Sequence, residues 1–272
     1  MHKLWLLLLL VTVNAGAQEL YVFSEPASNM PAHSLSAKFG YRIAGTGQAD
    51  KVWQRFSPEL MFGLSRQWML HTAATFSNFY SKGQRLESGR IYSKYRFYSN
   101  DDVHQHFRMA AFAEASWSNS PFVFGDVNLE GDNSGAQAGL VATQLVRKLA
   151  VSGTASYLRV FANETHHNHS RNVFAYTLSA GHLILPFNYT SYSQTNLNIY
   201  LEAIGMRGLD SGDGMLDLAP ALQVIFNSNF KINVGARFQV AGNMERLAKN
   251  NYFLAVERTF LGALKKKKAR EL

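Results

Sequence analysis

An alternation with a period of two, sustained over unusually long segments, constrains this chain more than any other feature. Ile232, Val234, Ala236, Phe238 and Val240 fall on one face of an extended segment, with Lys231, Asn233, Gly235, Arg237 and Gln239 on the other. Leu216, Leu218, Pro220, Leu222, Val224 and Phe226 repeat the pattern against Asp217, Ala219, Ala221 and Gln223. Leu197, Ile199, Leu201 and Ala203 do so against Asn196, Asn198 and Glu202. Successive side chains of a strand point to opposite faces, so each segment is a strand with one apolar and one polar side. Pro220 lacks a backbone donor and weakens the ladder or marks a bulge.

Read in this way, the chain gives about twelve strands, over 33–45, 52–65, 67–80, 86–98, 105–117, 134–147, 149–162, 172–186, 194–206, 215–227, 229–242 and 249–261. Strands of soluble sheets are typically about five or six residues long, whereas tilted membrane strands need about 9–11 plus rims beyond the lipid. These segments match the second kind. The links near Arg66, Lys148 and Ser228 are tight, and those near Asp102 and Tyr189 modest. The alternate links GTGQAD, SKGQRLE, SNSPFVFGDVNLEGDNSG, NETHHNHS, GLDSGDG and GNMERLA are longer and more polar. Short turns on one side and long loops on the other belong to outer-membrane barrels. The expected fold is therefore all-β: a closed antiparallel transmembrane barrel of about twelve strands across 33–262, with outer-membrane lipid around it. Closure is required because backbone groups in hydrocarbon find no water partner. A soluble sandwich is the competing architecture. An even strand count puts both termini on the periplasmic side, with Trp53 and Trp117 at the outer rim and Trp68 at the inner rim. Phe260 closes the last strand, and a basic tail, 263–272, follows.

Residues 1–17, MHKLWLLLLLVTVNAGA, read as a secretory signal peptide, with Ala15-Gly16-Ala17 at the cut and an uncleaved anchor as the alternative. The apolar run is too short to span a bilayer as a helix. Segment 18–32, QELYVFSEPASNMPA, carries Pro26 and Pro31 and lies either in the periplasm or inside the barrel as a plug. The 272 residues include 47% hydrophobic and 17% charged ones, which excludes a disordered chain. No cysteine is present, so disulfides, thiol nucleophiles and cysteine metal sites are excluded. The net charge of +8 suggests nucleic acid, but five of the basic residues form the tail run Lys265 to Lys268 with Arg270. That run suits acidic headgroups or plain solvation, and no nucleic-acid partner is expected.

In a membrane barrel the soluble convention is reversed, and polar residues face inward. Glu59, Arg90, Lys94, Arg96, Arg108, Glu114, Glu202, Asp217, Arg237 and Glu257 are the candidate lumen-lining residues. A hairpin turning near Asp101 and Asp102 sets Arg90 opposite Glu114 and Arg96 opposite Arg108. Asp217 falls diagonally next to Arg237, Arg237 opposite Glu257, and Glu202 faces Asp217. Such a charge ladder either stiffens the wall or sets selectivity. Twelve strands lie between the filled interior of eight and the water channel of sixteen or more.

His166, His167 and His169, with Glu164, could hold zinc, copper or nickel, against the plainer reading of a polar loop. DVNLEGDNSG resembles the opening of a calcium loop, but the twelfth position holds Gln137 instead of a bidentate Glu. No cofactor motif, GxSxG elbow or HExxH is present. Some twelve-stranded barrels are lipases, yet His71, His106 and His182 have no evident Ser partner, so an enzyme is not expected.

EPASNMPAHSL, the long alternating strands and LDLAPALQVIFNSNFKINVGARFQVAG resemble outer-membrane transporters of the family named for the meta-pathway of phenol degradation. The resemblance spans most of the mature chain. It implies passage of small, often hydrophobic, organic compounds and no catalytic residues. The expected function is passage of small-molecule solutes through a narrow lumen gated by the loop around Gly125 to Gly135. A non-conducting structural or adhesive barrel is the main alternative, and a lipase-like enzyme the second.

Overall fold

The computed structural model describes residues 21–45, 52–102, 105–121, 123–161, 169–188, 191 and 193–265. Twelve strands form one closed antiparallel barrel in which each pairs with its neighbours in sequence and β1 closes on β12. They are β1 (Leu35–Gly45), β2 (Val52–Gly63), β3 (Trp68–Ser77), β4 (Arg85–Asp101), β5 (Gln105–Ser118) and β6 (Gly135–Val146). The second half comprises β7 (Leu149–Val160), β8 (Asn172–Leu185), β9 (Asn196–Gly208), β10 (Gly214–Phe226), β11 (Phe230–Gly242) and β12 (Asn250–Phe260). The expected spans hold to within a few residues, the largest differences being β3, which ends at Ser77, and β4, which runs on to Asp101.

The burial pattern is inverted, as a barrel in lipid requires. Leu178 is 61% exposed on the outer wall, and Glu202, on the adjacent strand, is 0% exposed inside. Ile91, Leu140, Leu201, Leu222 and Val234 are likewise exposed, while Lys94, Asp217, Gln223, Asn233 and Glu257 are buried. Every strand has a partner on both edges, so no ladder is left open in the lipid region. Trp53 and Trp117 lie at the long-loop end of the wall and Trp68 at the short-turn end, where it packs on Tyr95.

Four register shifts interrupt the ladders among the described residues, one of them in β8 between Leu183 and Leu185. In β4, Leu86 pairs with Phe76 and Ser88 with Thr75, so Glu87 is the extra residue. It breaks the alternation, and Glu87 and Ser88 are both buried. Phe97 is extra between Arg96 and Tyr98 where β4 meets β5, and Val240 is extra where Asp217 pairs with Gln239.

Candidate functional site

The ten charged residues expected inside occupy inner positions of their strands. Glu59, Lys94, Arg108, Glu202, Asp217 and Glu257 are buried, and Arg90, Glu114, Arg96 and Arg237 are partly so. Their pairings differ from the expected ones because the turns lie at other positions than expected. Arg90 pairs with Ser116 and Tyr92 with Glu114, so Arg90 reaches Glu114 diagonally at 3.4 Å. Arg96 pairs with Ala110, not Arg108, because the turn lies beyond Asp102, and the Phe97 bulge takes back only one position of that shift. That offset separates two guanidiniums and lets Arg108 bond Asp101 at 2.9 Å. Arg237 pairs with Asn251, six positions from Glu257, which takes Lys231 at 3.2 Å and Ser36 at 2.8 Å. Glu202 pairs with Ala219 and Asp217 with Ile204, so the two carboxylates do not face each other. Asp217 does take Arg237, and with it Arg246 at 2.6 Å.

The described part of segment 18–32 makes its bonds to the inner wall. The Glu202 carboxylate accepts the backbone N–H groups of Val22, Phe23 and Ser24 at 3.0, 2.9 and 2.9 Å, and the Ser24 hydroxyl at 2.5 Å. Ala27 N–H donates to Thr143 at 2.8 Å. Lys94 reaches Glu25 at 3.0 Å and the carbonyls of Pro26 and Ser28 at 2.6 and 3.0 Å. Arg108 donates to the Ser28 hydroxyl at 3.0 Å. These anchors stand on β9, β6, β4 and β5, so the segment is held from several sides of the lumen. Tyr21 packs edge-on to Tyr200, and Met30 packs with Met61 and Met69. The two prolines keep the backbone out of the ladder, so wall side chains satisfy its polar groups instead.

The loop 119–134 enters from the other end. Val127 and Leu129 are buried against Leu158, Val160 and Val173. Arg42 and Arg55, directly opposite each other on the β1–β2 ladder, both face inward. Like charges so placed repel. The loop supplies a carboxylate to each: Glu130 to Arg42 at 2.9 Å and Asp132 to Arg55, which also holds Glu87 at 3.1 Å. Glu130 bridges to Arg90 with its second oxygen at 3.4 Å. Arg90 also bonds Glu59 at 3.2 Å, and Glu59 takes His71 at 3.0 Å. Gly131 has a φ of 132°, and a Cβ there would lie 2.8 Å from the Arg55 guanidinium carbon. Only glycine gives the turn this conformation and this approach.

A third anchor ties the loop to the link between β11 and β12. Asp126 bonds Arg246 at 3.2 Å, and the N–H groups of Gly125 and Asp126 donate to Glu245 O. Burial, with the neighbouring Asp132 charge, pushes the Asp126 carboxyl up to about 7 against the opposing pull of Arg246, which also makes two bonds to Asp217 at 2.6 and 3.0 Å. Burial raises Asp132 as well, but Arg55 together with hydrogen bonds from Asn128 and Tyr80 outweighs it and holds that carboxyl below its usual range.

Between segment and loop lies a cavity of about 290 Å³. Its lining combines Phe23, Tyr92 and Phe112 with Arg42, Arg90 and Glu130. Sequence reasoning missed Arg42, Arg55, Glu87 and Arg246, and met Glu130 and Asp132 only as positions of a calcium-loop pattern. Glu87 carried a readable signal, since strict alternation puts its carboxylate on the lipid face, where it is costly.

The loop carboxylates of DVNLEGDNSG are engaged by arginines rather than aimed at a common ion centre. His166 and His167 lie outside the described residues, as do segments 1–17 and 266–272; His169 is 3.9 Å from Glu245. Among the described residues no group of three His, Asp or Glu is arranged to hold a metal. His71 pairs with Glu59, His106 with Asp101, and His182 is exposed.

No family model matches the chain, and no curated protein sequence matches it. Among solved structures it is similar to the COG4313 outer membrane channel from Pseudomonas putida F1, with a TM-score of 0.58 and 12% identity, covering 88% of this chain and 100% of that one. It is also similar to the NanC porin, with a TM-score of 0.52 and 10% identity, covering 82% of this chain and 98% of that one. At such identities the likeness is one of fold. The protein is a closed twelve-strand β-barrel of the outer membrane, and it shares that fold with these channels and porins.

Proposed function

We propose that the protein is an outer-membrane channel for small molecules, among them hydrophobic organic compounds. The observation that carries this reading is the cavity between segment and loop: a closed barrel of twelve strands keeps a central space of about 290 Å³, lined by both charge and aromatic rings. Mixed linings of this kind suit small ligands. The resemblance to the transporter family named for the meta-pathway of phenol degradation supports the organic class. Residues 1–17 act as an export signal, 18–32 as a plug whose anchoring on Glu202 and Lys94 supports that role, and 263–272 as a solvated periplasmic tail. The ten charged wall residues act both as struts and as the lining that sets selectivity. A second reading, a non-conducting barrel with binding loops, is favoured by the number of wall bonds holding the segment.

Proteoliposome swelling with small neutral sugars and with benzyl alcohol tests the proposal. Solute-dependent flux above that of empty liposomes is expected. Absence of flux from protein with heat-modifiable mobility contradicts it and moves the weight to the non-conducting barrel.

A further inference from the structure

Glu130 occupies a seat that other residues build. Its carboxylate places one oxygen 2.9 Å from Arg42 and the other 3.4 Å from Arg90. Two guanidiniums on separate strands, β1 and β4, thus hold one carboxylate from two sides, each through one charge-assisted hydrogen bond. The seat is part of the wall, whereas the carboxylate filling it comes from a loop.

The three loop acids are not equivalent. Asp132 is 14% exposed and shares the buried Arg55 with Glu87, and Asp126 is 20% exposed beside Arg246. Glu130 is 46% exposed and lines the cavity. Around Arg90 the wall contributes Lys38, Arg42 and Arg90 with Glu59 and Glu114, and Glu130 is the carboxylate that the loop adds to them. The buried Arg42 Nε has no hydrogen-bond partner, so the seat holds an unused donor even when Glu130 fills it.

Beside the guanidiniums the wall turns apolar. Tyr92 follows Arg90 on the inner face of β4, and Phe112 precedes Glu114 on that of β5. Their rings stack with centroids 5.6 Å apart, and both line the cavity. An apolar cavity of about 150 Å³ already accepts benzene, so the space suffices for one aromatic ring.

We infer that the Arg42–Arg90 seat binds the carboxylate of a small amphipathic organic acid, whose apolar body lies against Tyr92 and Phe112, and that Glu130 holds the seat as an internal surrogate until such an acid displaces it. This rests on the channel reading and names its solute class. Displacement removes one of the three acidic anchors of the loop, so binding is coupled to loosening of the 119–134 constriction.

The test is a ¹⁹F NMR titration of the detergent-folded protein with 4-fluorobenzoate, using 4-fluorobenzamide as the uncharged probe of nearly equal shape. Saturable binding of the benzoate is expected, at least about tenfold tighter than the amide, as loss of a charged hydrogen-bond pair implies. Arg42→Gln weakens benzoate binding about tenfold, and Glu130→Gln, which removes the competitor but no donor, strengthens it. Arg42→Gln relieves the repulsion with Arg55, and heat-modifiable mobility verifies that both variants are folded. Equal affinity for the two probes, or benzoate binding that Glu130→Gln leaves unchanged or weakens, overturns the inference. Conductance of the same preparation separates the two claims. Channel steps without carboxylate preference overturn the seat alone, and carboxylate binding without any conductance or flux overturns the channel reading alone.

Discussion

Arg42 and Arg55 stand directly opposite each other on the inner face of the β1–β2 ladder, and an outer loop reaches in to give each its own carboxylate. The spacing of Glu130 and Asp132 matches this pair, so the loop is bound by complementarity of charge as well as by burial of Val127 and Leu129. Removing one partner of a buried ion pair costs about 3–5 kcal/mol. Arg55→Met leaves Glu87, 0% exposed, without its cation, and should lower barrel stability on that scale. The midpoint of urea unfolding, followed by heat-modifiable mobility, measures it. Adding Glu87→Gln to Arg55→Met should recover part of the loss, and a single variant as stable as the wild type would contradict the buried-pair assignment.

Ser24 gives both its backbone N–H and its hydroxyl to Glu202, and this carboxylate holds the segment where it crosses the lumen. Glu202→Ala deprives three backbone donors and one hydroxyl of their acceptor, at about 1–3 kcal/mol for each donor left unsatisfied. The segment should detach, raising single-channel conductance at least about twofold and exposing residues near Tyr21 to protease. Unchanged conductance and protection would show that Lys94, Thr143 and Arg108 suffice as anchors.

Loop packing should depend on pH through Asp126. In the packed loop burial raises this carboxyl to about 7, while in a loop turned out to water it returns to about 3.9. A group whose pKa is raised in the packed state favours that state when protonated. The preference is complete below about pH 4 and is lost as pH rises to about 7. Asp132, lowered by Arg55, acts with the opposite sign and below that window. Open-state occupancy in bilayer recordings should therefore rise between pH 5 and pH 7.5, and Asp126→Asn should flatten the response. An undiminished rise in that variant would assign it to another group.

Arg237 shares Asp217 with Arg246, so Arg237→Ala removes a lumen cation while Asp217 keeps a partner. The reversal potential in a salt gradient should shift toward cation selectivity with little change in stability. An unchanged reversal potential would take Arg237 out of the selectivity lining.

The strands were legible because lipid outside and polar groups inside impose a strict period of two, and Leu178 against Glu202 shows how sharply. Register was less legible. The turn between β4 and β5 lies further along than Asp101 and Asp102, which is why Arg96 does not meet Arg108, and the extra residue Phe97 takes back only one position of that shift. The hairpin of β11 and β12 was misjudged by six positions because the loop between them says nothing of where the ladder stops. The loop's place inside the barrel was half visible. Val127 and Leu129 are apolar residues in a nominally outer loop, but which arginines its acids meet depends on strands far away in sequence. Lumen pairing is a property of the closed barrel, and local pattern carries little of it.

The account stands most directly on single-channel recording of the refolded wild-type protein in planar bilayers. It predicts small, discrete conductance steps, since loop and segment narrow the path without filling the cavity of about 290 Å³ between them. Deletion of residues 18–31 should enlarge those steps. Silence from both proteins, each shown to be folded by heat-modifiable mobility, would contradict a channel.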